Sequence, residues 1–313
     1  MLTKRRVIAA KVEATEGTAE TLLAADGGIL AIDPKVEVDI KMHGRNVALA
    51  SLSKFADVPG AQLAKITFKA EVKGVGTAYS AINLPALGKY LRACGMSEVV
   101  DVSVGAEKVT YKPASTGVQS LTIACYEDGV IKKIAGARGN VKFSGKAGEP
   151  VYAEFEFIGA LAGNTDGAML APTYENTKPP SMLSANFSIA AYAAIVHGFD
   201  IDLANVLSLR PDGNKAAGYI STVIAGRDPH GKFDPEMTTV AAHDWFGRWK
   251  AGTSGALNIG DIGATQYNKF KITAPTVVYR KVSDAEREGV AVADTAFQLA
   301  MATGDDEVEI VFT

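Results

Sequence analysis

Residues 226–236, GRDPHGKFDPE, gather Asp228, His230, Asp234 and Glu236 in one short stretch. Carboxylates beside an imidazole are what acid–base catalysis or a metal ion would require. The same Asp, Pro and Gly residues are also the chemistry of a solvated hairpin loop. The other histidines, His43, His197 and His243, stand at no metal-ligand spacing such as HExxH. The glycine-rich runs at 136–139 (GARG) and 252–263 (GTSGALNIGDIG) match neither GxGxxG nor GxxxxGK[ST], so neither is a phosphate cradle. No GxSxG elbow presents a nucleophilic serine. Two cysteines, Cys94 and Cys125, are too few for a zinc cluster and read as buried free thiols. Trp245 and Trp249 at helical spacing read as core. No catalytic residue, cofactor site or metal site is expected, and the chain is not read as an enzyme.

The elements that would have to position any site are mostly strands. AKITFKAEVKG sets Ile66, Phe68, Ala70 and Val72 against Lys65, Thr67, Lys69, Glu71 and Lys73, the period of two of a half-buried strand. Val36, Val38 and Ile40 alternate with charged residues in the same way, as do Val151, Ala153, Phe155 and Phe157. NLPALGKYLRACG predicts a short helix with Asn83 as cap, Pro85 in the first turn, Gly95 as stop, and Leu84, Leu87, Leu91 and Cys94 on one face. HDWFGRWKAG predicts a second, with Phe246 and Trp249 or Trp245 packed and Gly252 as stop. The charge runs near 284–288 and 304–307 read as wet turns.

With 313 residues, 47% hydrophobic and 21% charged, the composition is that of a soluble globular protein with room for two domains. A formal charge of −3 supplies no global basic field to hold nucleic acid. The first residues lack an apolar core of signal-peptide length, and no window approaches a membrane span.

Residues 129–161 read as a basic strand, a glycine turn, an alternating strand, a second glycine turn and a final alternating strand; residues 267–302 repeat that order. In both halves the phrase follows strand, loop, strand and helix. A tandem duplication of a mainly β domain carrying one helix explains the pattern. The boundaries read are 1–27 for an N-terminal arm, 28–163 for a first β domain, 164–181 for a Gly/Pro/Asn-rich linker and 182–313 for a second β domain.

The arm with VEATEGTAET, the polar stretch HGRNVALASLSKFADVPG before ITFKAEVKG, the helix LPALGKYLRACG and the phrase SLTIACYEDGVIKKIAGARGNVKFSGKAGEPVYAEFEFIGAL together resemble the major tail tube proteins of long-tailed bacteriophages, in the type with two tube domains per chain. The likeness is good over 11–165 and looser over 180–313. It implies tandem β-sandwich or half-barrel domains, each flanked by one short α-helix. It implies a structural virion protein of the phage tail, made in the host cytoplasm, whose rings stack into a tube that conducts the genome. It implies self-association as a ring of three two-domain chains, or of six, with tape-measure, tail-tip and tail-terminator proteins as partners. DNA would transit without specific binding, and no membrane is involved. The arm, the loop 43–60 and the loop 226–236 are the candidate ring-to-ring contacts, with Arg45, Phe55, Asp57, His230 and Phe233 as residues to test. Two other classes stand beside this one: a virion-surface or adhesin-like β-sandwich binding module, which would need exposed aromatics on loops, and a hydrolase, for which only residues 228–236 speak.

Overall fold

The computed structural model describes Leu2 and residues 4–313. The protein is mainly β, with two short α-helices. The first half contains β1 (Arg6–Val12), β2 (Ile32–His43), β3 (Val58–Glu71), α1 (Gly88–Ala93), β4 (Met96–Asp101), β5 (Lys108–Pro113), β6 (Leu121–Glu127), β7 (Val130–Lys146) and β8 (Tyr152–Asp166). The second contains β9 (Ser188–Ile189), β10 (Tyr192–Ala193), β11 (Val196–Asp202), β12 (Asn205–Pro211), β13 (Tyr219–Arg227), β14 (His230–Pro235), α2 (Trp245–Ala251), β15 (Gly255–Ile262), β16 (Phe270–Arg287), β17 (Val290–Ala300) and β18 (Glu309–Phe312).

Eight of these strands follow one another side by side, in the order β16-β17-β14-β11-β7-β8-β3-β2, within a larger 16-stranded sheet. Alternation along each strand sends one set of side chains inward, as a period of two requires. Ala64, Ile66, Phe68 and Ala70 of β3 and Phe155 and Phe157 of β8 are buried, and the rings of Phe68, Tyr90, Phe155 and Phe157 pack together, Tyr90 edge-on to Phe68, at centroid distances of 5.2–6.2 Å. Behind this face lie α1, α2 and a second layer that includes β1 paired with β6 and β4 with β5. The last strand, β18, pairs with both β5 and β16 and so ties the two halves together behind the main sheet.

Each half follows one pattern. A first short strand pairs with a strand that follows the helix: β1 with β6, which comes after the intervening β4 and β5, and β9 with β15, which comes directly after α2. A hairpin, β2–β3 or β11–β14, then packs beside a second hairpin, β7–β8 or β16–β17. Registers agree as well. Val36 faces Ile66, which faces Phe157; Phe199 faces Phe233, which faces Thr295. Even an ion pair repeats, since Lys65 lies 3.6 Å from Glu37 and Lys232 lies 3.6 Å from Asp200.

Several local expectations are corrected. GARG at 136–139 is no turn: β7 runs straight through it, with a register shift against β8 between Ala135 and Arg138 and Gly136 at φ +60°. A bulge bends a strand without ending it, so three expected strands become two long ones. β16 is likewise continuous through 284–287, and the hairpin turns at Glu288 and Gly289 instead. Residues 226–236 are not one loop but the end of β13, a two-residue connection at 228–229 and all of β14. Residues 6–12, read within a polar arm, form a paired strand in which Ala9 and Ala10 are fully buried. Asn83 does not cap α1; its amide closes the preceding loop by donating to Thr77 Oγ1 (2.9 Å) and the Ala78 carbonyl (2.8 Å).

The helix stops hold, with Gly95 at φ +81° and Gly252 at φ +63°. In α2 it is Trp245, 2% exposed, that enters the core, while Phe246 and Trp249 remain 43% and 39% exposed. Both cysteines are buried free thiols; burial raises the Cys94 thiol and pushes Cys125 up to about 12.

Candidate assembly interface

The halves meet through strand pairing. β11 lies antiparallel along the second part of β7, Ile201 opposite Phe143 and Asp200 opposite Ser144. Lys142 reaches Asp200 at 3.5 Å across this joint. On the inner face Phe199, Ile201 and Leu203 are 4%, 0% and 1% exposed. The joint buries apolar side chains and satisfies both backbones, which is how a sheet edge is made safe.

The outer ends of the eight-stranded sheet lack that protection. Among the described residues β2 pairs only with β3. Its Val38 and Ile40, at the β2 positions that match Ile201 and Leu203, are 44% and 41% exposed. At the far end β15 covers β16 only as far as Val277. From Val278 to Arg287 that side of β16 carries no strand among the described residues, although β17 pairs along the other side. By register this stretch matches residues 135–144 of β7, and the end of that segment, Lys142 to Ser144, receives β11. One molecule therefore presents a strand like β11 at one end and a receiving strand like β7 at the other.

The solvent face of the sheet is a lattice of crossed charges: Lys65 with Glu37 and Glu156 (3.6 and 3.4 Å), Lys69 with Glu154 (3.7 Å), Lys232 with Asp200, and Arg287 with Asp234 (2.7 Å). These pairs are solvated and each contributes little stability. Together they leave a polar wall without a strong field of either sign.

Beyond Asp202 the β11–β14 hairpin continues as the β12–β13 tip, which folds onto the first half. Thr222 Oγ1 donates to the Ile158 carbonyl at 2.8 Å, Asn205 Nδ2 to the carbonyls of Cys94 (2.7 Å) and Gly139 (3.0 Å), and Gln62 N to the Ala217 carbonyl at 2.8 Å. Gly136 is required at its bulge, because a Cβ there would stand 2.5 Å from the Ile220 carbonyl oxygen. A carboxylate clamp completes the seat. Glu16 accepts from Arg138 Nη1 (3.0 Å), from Arg210 Nη1 (2.9 Å) and from the Ser221 hydroxyl. The Arg138 guanidinium, helped by Ser221 and Arg210, holds the Glu16 carboxyl down to about 2. Glu13, buried beside it, accepts from Ser120, Thr122 and the Gly136 amide.

The corresponding tip of the β2–β3 hairpin, residues 44–57, has no such seat. All of it is exposed. Val47, Leu49, Leu52 and Phe55 are 54%, 47%, 104% and 46% exposed, and the Arg45 guanidinium sits 4.8 Å over the Phe55 ring. Asp57 lies where this loop returns, its carboxylate near Gly44. Three of the five residues named from the sequence thus share one loop. The other two do not join them. His230 is exposed at the start of β14, its Nδ1 2.8 Å from the Asp228 carbonyl. Phe233 is only 2% exposed, packed against Phe199, Phe297 and Trp245; it is a core residue, and the surface role expected of it is withdrawn. The acidic cluster does not converge either. Asp228 pairs with Arg280 (2.6 Å), whereas Asp234 and Glu236 pair with Arg287 (2.7 and 3.3 Å).

The two edges and the Glu16 clamp went unread because pairing between distant strands leaves no local mark. One signal was present: the Glu37–Lys65 and Asp200–Lys232 pairs occupy matching places in the repeat.

The family model described as "Phage tail tube protein" matches residues 3–299. The chain belongs to the phage tail tube protein family. Its role is therefore structural, in the tube of a phage tail, and its mainly β fold is the one expected of that family. A search of curated proteins returns no match. No helix among the described residues is long and apolar enough to cross a membrane.

Proposed function

We propose that this tail tube protein polymerises by repeating its own internal joint. The β2 edge of one copy pairs with the free stretch of β16 in the next, as β11 pairs with β7 within the chain. Matching the halves by register sets Glu37 opposite Arg287 of the neighbour, a favourable charge contact. The observation that carries this is the contrast between Ile201 and Leu203, 0% and 1% exposed in the internal joint, and Val38 and Ile40, 44% and 41% exposed at the matching places of β2. A head-to-tail contact of this kind closes into a ring when its rotation permits.

Three chains, each with two four-stranded units, form that ring. At the strand spacing of about 4.8 Å and tilt of about 40° usual in barrels, eight strands from each of three chains close at a diameter of roughly 48 Å. Six chains would double it. The three-chain barrel leaves a side-chain-lined channel suited to a nucleic-acid duplex, and the charge-crossed face would line it. A wall without a basic field releases phosphates rather than holding them. The rings stack into a tube that conducts the genome, with tape-measure, tail-tip and terminator proteins at its axis and ends. The role involves no catalysis, and the two domains are residues 28–163, completed by β1 from the N-terminal arm, and 182–313.

Negative-stain microscopy of the purified chain over a concentration series tests this reading. It should give rings whose averages carry three-fold symmetry with a six-fold outline. A chain that stays monomeric at every concentration refutes it.

A further inference from the structure

Where does the exposed 44–57 loop go? Within one molecule the equivalent element, the β12–β13 tip, lies on the neighbouring half beside the β7 bulge, and Asn205 caps the Cys94 carbonyl at the end of α1. Ile224 meets Gly95, the glycine that ends that helix. Two parts of this seat, the bulge and the helix end, have counterparts in the second half. β16 has its own bulge at Arg280, between the Tyr279–Phe297 and Lys281–Ala296 pairs. α2 ends on Gly252 as α1 ends on Gly95, both in the left-handed conformation. Gly252 has open space around it, and Arg280, paired with Asp228 at 2.6 Å, remains exposed at the bulge. The last turn of α2 adds Trp249, 39% exposed, an apolar partner for a loop that displays Val47, Leu49, Leu52 and Phe55.

We propose that the 44–57 loop docks laterally, onto the second half of the adjacent copy in the same ring, against the Arg280 bulge and the Trp249–Gly252 end of α2. This rests on the ring reading above and differs from the ring-to-ring role expected for loop 43–60. The argument is one of equivalence. A β11-like strand that pairs with a β7-like strand carries its hairpin tip toward the bulge and helix end beside it, because the tip follows directly from the strand in the chain. Once β2 of one copy lies on β16 of the next, residues 44–57 are delivered to the same place. The Arg45–Phe55 contact holds the loop compact for that seat.

The test replaces residues 45–56 with an Asn-Gly turn, which suits a two-residue hairpin. Sedimentation and negative-stain microscopy are run where the intact chain forms rings. Lateral docking predicts folded monomers, with unchanged circular dichroism, in place of rings. Isolated rings that fail to stack, or unchanged tubes, overturn it. An intact chain that never forms rings overturns the ring reading and the loop's seat with it. A second measurement is independent of the deletion. The Leu49→Cys, Thr253→Cys chain, under mild oxidant, should give cross-linked dimers and closed trimers from rings diluted below the point of stacking. Cross-links that appear only in stacked tubes, or none in rings, overturn the proposal. Cys94 and Cys125, fully buried, stay silent.

Discussion

Replacing Val38 and Ile40 together by serine should abolish assembly at ordinary concentrations while costing the monomer less than the loss of a buried residue of the internal joint. The two side chains are 44% and 41% exposed in the single chain, so about half of each remains to be covered by a neighbour. At about 2 kcal/mol for a whole aliphatic side chain, that is about 1 kcal/mol each, or about 2 kcal/mol per joint. A three-chain ring has three joints but forms in two association steps. The loss of about 6 kcal/mol per ring therefore raises the concentration at which rings appear by on the order of 100-fold. The assay is sedimentation velocity across a dilution series, with thermal unfolding of the monomer measured beside it. The control is Ile201→Ala at the matching place in β11, which is fully buried. It should cost the monomer about 2–5 kcal/mol and lower its Tm visibly. If the serine pair lowers monomer Tm as far as Ile201→Ala, or leaves the threshold within a few-fold of the original, the equivalence of the two strands is wrong.

Further outcomes concern the internal joint. Glu16 has its carboxyl lowered to about 2 from an ordinary 4.5, so its stabilisation is present above that ordinary value and is lost as pH falls from 4.5 towards 2. Thermal melts should decline with acid over that window, and Glu16→Gln should flatten the decline; an unchanged slope would show that the clamp does not control it. Gly136→Val meets both a φ of +60° and the Ile220 carbonyl, so it should release the β12–β13 tip and speed proteolysis between β12 and β13. Wild-type digestion kinetics would contradict that. Trp245→Ala opens the aromatic cluster of Tyr192, His243, Phe233 and Tyr279 and should cost about 3–5 kcal/mol in denaturant unfolding, against almost nothing for Trp249→Ala in the monomer.

Local pattern carried much of the fold. β3 and β8 were plain from alternation, because one face meets a core and the other meets water. The helix stops were plain because a left-handed residue is cheapest as glycine, as Gly95 and Gly252 show. Gly136 misled for the same reason: positive φ serves a turn or a bulge equally, and only the partner strand β8 distinguishes them. β1 was missed because Ala9 and Ala10 are buried by β6 and by distant residues rather than by any periodicity of their own. Phe233 was misplaced because an aromatic flanked by Lys232 and Asp234 looks like loop until its neighbours on β11 and β17 are known. Of the proposed interface, the 44–57 segment could be read as an exposed loop from its polarity and length. The β2 and β16 edges could not, since an edge is defined by what fails to pair with it.

The most direct test of the central claim is an inter-chain cross-link between the two edges. A Glu37→Cys, Arg287→Cys chain joins positions held far apart in the sheet order of one molecule, so a disulfide between them reports a neighbour. Repetition of the internal joint predicts covalent closed trimers on a non-reducing gel, from rings and not from monomers. Rings that form readily yet give no cross-link at this pair would contradict it.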